Sequence, residues 1–150
     1  LTGIALVEVF DLDQAADSEF ANISTRGFVS GGDAVMIGGF ILGGTDVGTH
    51  ILVRGIGPSL SGAGVANPLP DPRIEIHNKD GVLVATNDNW KVDDASGQSQ
   101  EAAIVATTVP PADDAESALL LTLQPGAYTA VLGGNGAPTG IALVEVYNLQ

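Results

Sequence analysis

The sequence predicts an all-β protein: two sheets packed as a jelly-roll-like sandwich of about eight or nine strands. Three observations carry this. Short runs rich in Val, Ile, Leu and Thr recur along the chain, many alternating with period two. Twenty glycines and eight prolines punctuate those runs, as turns require. No convincing long helix is present. A closed barrel is the alternative architecture for the same pattern.

Each element follows from the local pattern. Residues 2–10 (TGIALVEVF) read as a strand, followed by a polar loop or linker from Asp11 to Glu19. Residues 22–29 and 34–42 form the next strands, with Gly38-Gly39 marking a bulge or close approach. Gly43 to Asp46 make a turn. Residues 50–56 form a strand that Gly57-Pro58-Ser59 ends, and 59–72 is a long loop. Residues 73–77 and 82–86 flank Asn78-Lys79-Asp80-Gly81, where Asp-Gly between apolar runs signals a hairpin. Residues 87–116 are polar and acidic, with a short helix or strand at 102–107. Residues 118–123, a Gln-Pro-Gly turn, 127–132 and 140–147 complete the chain.

At 150 residues with 45% hydrophobic content, the chain fits one domain with a core. Eighteen acids against five scattered bases give a net charge of −13, which disfavours nucleic acid and anionic membranes. No apolar run approaches the ~18 residues that span a bilayer, so no membrane insertion is expected. With no cysteine, disulfides, thiolate metal sites and cysteine nucleophiles are excluded. The chain opens on a strand, without Met or a signal peptide, and reads as mature or excised.

The most informative feature is a duplication. Residues 139–147 (TGIALVEVY) repeat residues 2–10 with one Phe/Tyr exchange, and Leu12 matches Leu149. Ile4, Leu6, Glu8 and Phe10 share one face; Ala5, Val7 and Val9 share the other. Both faces are mostly apolar, so the strand needs covering on both sides, and an unpaired copy is an adhesive edge. Three readings stand: a slice of a tandem array, a donor strand completing a neighbour's sheet, or two similar strands in one domain. The expected division is a connector strand over 1–13, shared with a neighbouring unit, and a sandwich over 14–150. Connector residues are Thr2, Gly3, Ile4, Ala5, Leu6, Val7, Glu8, Val9 and Phe10, with Ile141, Leu143, Glu145 and Tyr147 in the second copy.

No catalytic residues are expected. His50 and His77 sit in or beside strands without a nucleophile motif, and the glycine pairs open no helix, so neither a P-loop nor a dinucleotide fingerprint is present. Carboxylates cluster at Asp11/Asp13, at 87–94 and at Asp113, Asp114 and Glu116. Of these, Asn87, Asp88, Asn89, Asp93 and Asp94 are a candidate calcium site, although the EF-hand glycine and terminal glutamate are missing. Trp90 beside them is a candidate for stacking on a sugar, or a cover for the end of the core. Arg26, Arg54, Glu8 and Glu145 lie among apolar strand neighbours, and buried charges need partners. At least one arginine is expected to pair with a strand glutamate.

Several stretches together carry a resemblance: ANISTRGFV at 21–29, IGGFILGG at 37–44, ILVRGIGPSL at 51–60, DGVLVATNDNW at 80–90, LQPGAYTAVLGG at 123–134 and TGIALVEVYNL at 139–149. They resemble an uncharacterised repeat module of large exported proteins of environmental bacteria, over nearly the whole chain. The 80–90 hairpin and LQPGAYTAVL are also similar to bacterial pre-peptidase C-terminal domains, which are secreted β-sandwiches. Both resemblances imply an exported, non-catalytic module. The expectation is a structural unit of an extracellular or cell-surface filament whose partners are copies of itself. The alternative is a secreted adhesive or carbohydrate-binding module, calcium-dependent or not.

Overall fold

The computed structural model describes residues 7–9, 21–32, 34–43, 48–136 and 138–149. Among the described residues, eight strands form where β-branched and aliphatic residues alternate between turns: β1 (Asn22–Val29), β2 (Met36–Leu42), β3 (Thr49–Ile56), β4 (Pro72–Asn78), β5 (Leu83–Asn87), β6 (Ser117–Leu123), β7 (Gly126–Gly134) and β8 (Gly140–Asn148). One short helix, α1 (Glu101–Ala106), lies between β5 and β6.

The strands make two four-stranded sheets, ordered β1-β8-β3-β6 and β2-β7-β4-β5, antiparallel throughout. Strand 1 pairs with 8, 2 with 7, 3 with 6 and 4 with 5, so the chain is one long hairpin rolled over on itself, a jelly roll. Among the described residues, each sheet keeps two edges and no barrel closes. Alternation sends Ile51, Val53, Leu119, Ala142 and Val144 of the first sheet inward against Phe40, Ile74, Ile76, Ala130 and Leu132 of the second.

A third layer covers the outer face of the first sheet. The β5–β6 connection carries Trp90 and Ile104 onto Leu52 and Ala118, with Val109, Leu120, Tyr147 and Leu149 packed around them. This layer is why β3, β6 and β8 are apolar on both faces.

Two elements depart from the sequence pattern. Within 59–72 the chain makes a 3-10 turn, Pro58–Ala63, and then Pro68 bridges to Ile141 in parallel. Proline in the first turn fixes φ where no N–H is needed, and Gly64 ends the turn at φ 77°. Glycine is obligatory at 57, because a Cβ there would meet the Leu69 carbonyl oxygen at 2.1 Å. Gly38 and Gly39 form no bulge: β2 pairs with β7 without a shift, and a Cβ on Gly38 would meet Val144 only at 3.5 Å. The register shift falls in β4 between Ile76 and His77, beside the Asp80-Gly81 turn. Most of the expected Gly43–Asp46 turn lies outside the described residues.

Candidate functional site

The second copy of the duplicated segment is β8, which lies between β1 and β3 and is hydrogen-bonded to both. Ala142, Val144 and Val146 face the core, while Ile141, Leu143, Glu145 and Tyr147 face outward. A strand apolar on both faces specifies its own register weakly. Glu145 is the one charge in β8, and it is buried.

Arg54 of β3 stands directly across from Glu145. Its Nε donates to Glu145 Oε2 at 3.0 Å, and its Nη2 donates to the same oxygen. Nη2 also donates to the Tyr147 hydroxyl at 2.9 Å, and Nη1 to the Val109 carbonyl at 2.6 Å and the Pro110 carbonyl at 3.3 Å. The guanidinium carbon lies 5.0 Å from the centre of the Tyr147 ring. Glu145 Oε1 accepts from the Tyr147 hydroxyl at 3.1 Å and from Ser24 Oγ at 3.4 Å. Burial pushes the Tyr147 phenol above its ordinary range; Arg54 opposes the shift and Glu145 adds to it. The network ties β1, β3, β8 and the outer layer together. A one-residue slip of β8 would turn Glu145 into the core and leave Arg54 unpaired.

The first copy has different surroundings. Val7, Glu8 and Val9 are exposed and outside any strand. Val7 is 86% exposed, whereas Val144, its counterpart in β8, is 3% exposed. Thr2, Gly3, Ile4, Ala5, Leu6 and Phe10 lie outside the described residues. The expectation of a buried pair therefore does not hold for Glu8, which is solvated. Nor does it hold for Arg26, which is exposed on edge strand β1 and pairs with no described carboxylate. The outer face of an edge strand is wet, so its arginine needs no ion partner.

The 87–94 loop is organised around a side-chain amide. Asn87 is fully buried, and its Oδ1 accepts from the Ala118 N–H at 3.0 Å. That fixes the amide orientation, because a backbone N–H only donates. Its Nδ2 donates to the Asn89 and Val92 carbonyls and to Asp94 Oδ1, at 3.3, 2.7 and 3.3 Å. The amide nitrogen thus stands among the oxygens that a cation would need. Asp88 accepts from Asn89 and Asn135, and Asp93 from the Ser96 N–H and hydroxyl. The Ser96 hydrogen bonds lower the Asp93 pKa; burial, with Asp88 nearby, raises that of Asp94. Among the described residues, no group of three His, Asp or Glu is placed to hold a metal. Trp90 is buried, its indole N–H donating to the Asp113 carbonyl at 3.1 Å, so it presents no ring to a sugar.

One polar centre escaped sequence reasoning. Glu116, grouped there with Asp113 and Asp114 as a carboxylate cluster, is fully buried. Its Oε1 accepts from the Gly57 and Ser59 N–H groups and the Ser59 hydroxyl, and its Oε2 from the Ala112 and Asp113 N–H groups. The available signal was its position two residues before the apolar run of β6, which starts at Ala118. His50 Nδ1 lies 3.2 Å from the Thr122 hydroxyl, and His77 Nε2 lies 3.2 Å from Glu75.

The chain matches no model of a known protein family and no curated protein. No described helix is long and apolar enough to cross a membrane.

Proposed function

We propose that this chain is a structural unit of an extracellular or cell-surface filament, joined to its neighbours through the TGIALVEV strand. One observation carries the reading. The same sequence is a buried central strand at 140–148, bonded on both sides, and an exposed segment at 7–9. The first copy has the chemistry of a β8 strand without β8's surroundings. A slot of matching shape and charge is the β8 position of an adjacent unit, which the first copy enters by strand exchange, displacing that unit's own residues 140–148. There Glu8 meets that unit's Arg54, and Phe10 takes the place of Tyr147, keeping the ring and losing the hydroxyl. Backbone pairing along the strand gives affinity, and the single charge gives register. The role is mechanical and needs no catalytic group. A cysteine-free, acidic surface suits an exposed polymer.

Sedimentation of the 150-residue chain, refolded at high concentration, tests this against a variant lacking residues 1–13. The full chain is expected to form a concentration-dependent ladder of oligomers and the variant to remain a monomer. A full chain that stays monomeric, or a variant that assembles equally well, refutes the proposal.

A further inference from the structure

One side-chain amide fastens the ends of three strands. Asn135 follows the last residue of β7, Asp71 precedes the first residue of β4, and Asp88 follows the last residue of β5. These strands are neighbours in the second sheet. Asn135 Nδ2 donates to Asp71 Oδ2 at 3.2 Å and to Asp88 Oδ2 at 3.0 Å. The Asn135 N–H also donates to the Asp71 carbonyl at 2.9 Å. Two carboxylates from different loops thus converge on one neutral donor. An ionised carboxylate only accepts, so the two share this point while a donor stands between them.

The next residue puts that donor at chemical risk. Of the seven asparagines in the chain, only Asn135 is followed by glycine; Ile23, Pro68, Lys79, Asp88, Trp90 and Leu149 follow the others. The side-chain carbonyl carbon of an asparagine, Cγ, can close a five-membered ring with the backbone nitrogen of the residue after it. A Cβ on that residue crowds the closure, and a proline nitrogen has no proton to lose. Gly136 has no Cβ, and it sits at φ 72°, where few other residues are found. Asn135 and Gly136 are exposed, and Asp71 and Asp88 are half-buried. The amide can therefore leave its partners without opening the core.

We propose that Asn135 is a deamidation site whose conversion unfastens the ends of β7, β4 and β5. The Gly136 nitrogen, its proton lost to solvent base, attacks Asn135 Cγ. A C–N bond forms, the bond from Cγ to Nδ2 breaks, and Nδ2 leaves as ammonia after taking a proton from water. Water then opens the cyclic imide. Opening at Cγ gives aspartate. Opening at the Asn135 main-chain carbonyl gives isoaspartate, with the backbone rerouted through Cβ and Cγ. One water is consumed and one ammonia released, and nothing is oxidised or reduced. Either product replaces the donor with an acceptor and brings a third negative charge to Asp71 and Asp88. Burial, and then the Asp88 charge, already raise the Asp94 pKa at this end of the sheet against the pull of Arg73, so the new charge enters a region rich in acid. Ammonia is lost to solvent, so the unfastened form accumulates as the protein ages.

Holding the folded chain in warm, mildly alkaline buffer and mapping its peptides by mass spectrometry tests the site. Asn135 is expected to lose its amide before the other six asparagines, and part of the product is isoaspartate, which a protein isoaspartyl methyltransferase labels. The Asn135→Gln variant keeps an amide but needs a larger ring, and it should stay intact. The Asn135→Asp variant measures the consequence: its melting temperature should fall by roughly 2–6 °C at neutral pH, and the difference should fade in acid, where the carboxyls are protonated. An Asn135 that keeps its amide in the folded chain, while a synthetic peptide of residues 131–139 loses it, overturns the site. An Asn135→Asp protein that melts like the wild type at neutral pH overturns the fastening role.

Discussion

Replacing Glu145 by Gln probes the chemistry that places β8. The substitution removes the charge and leaves one carbonyl oxygen for two guanidinium donors, the Tyr147 hydroxyl and Ser24. Breaking a fully buried ion pair from one side costs about 3–5 kcal/mol. Here the two side chains are 14% and 10% exposed, and Arg54 keeps the Val109 and Pro110 carbonyls, so about 1.5–3 kcal/mol is the better figure. For a chain of this size, each kcal/mol moves the melting temperature by about 2–4 °C, which gives a fall of roughly 3–12 °C. Far-ultraviolet circular dichroism melts measure it, alongside two controls. Glu8→Gln, the same substitution in the exposed copy, should leave the monomer's melt unchanged. The double variant Arg54→Met/Glu145→Leu should recover part of the loss, because it removes both charges together. A Glu145→Gln protein melting at the wild-type temperature would refute the argument that this pair holds β8.

Glu116→Gln turns an N–H2 group toward two N–H donors or toward Gly57 and Ser59; with Ala112 exposed enough to find water, the cost is about 2–4 kcal/mol, visible as a lower denaturation midpoint at unchanged m. Asp94→Asn should slightly raise the neutral-pH melting temperature. The Asp94 pKa is raised in the folded protein, so its ionised form opposes folding; the variant's advantage should shrink as pH falls through that raised value and vanish below 3.8. A melt difference independent of pH would contradict this. Added calcium should leave the melting temperature unchanged, since the Asn87 amide already bonds the loop oxygens; a rise would mean that the native state binds the ion.

The eight strands were legible because alternation and turn residues are local properties of the sequence. β1 spans 22–29 as the pattern reads, and the Asp80-Gly81 hairpin lies where that dipeptide places it. The two apolar faces of TGIALVEV also pointed to a covered strand, which β8 is. Less legible was anything that depended on which strand is an edge. Arg26 and Arg54 have similar neighbours along the chain, but β1 is an edge and β3 is central, so one arginine is wet and the other paired. Glu116 was misread for a related reason: its five donors come from 57–59 and 112–113, and only tertiary folding brings the first group to it. In the Asn87 loop, an amide and a carboxylate both read as oxygen donors in sequence, and the orientation of the amide was not legible. The Ala118 N–H, distant along the chain, turns the amide nitrogen inward.

The most direct test of the connector is amide hydrogen exchange at residues 2–10, followed by mass spectrometry, in monomer and in assembly. The Phe10/Tyr147 difference gives the two copies distinct masses. In the monomer, residues 7–9 should exchange rapidly while 144–146 are protected. In the assembly, residues 7–9 should become protected, and residues 144–146 of the strand they displace should exchange faster. First-copy amides that exchange rapidly in an assembled filament would contradict the account.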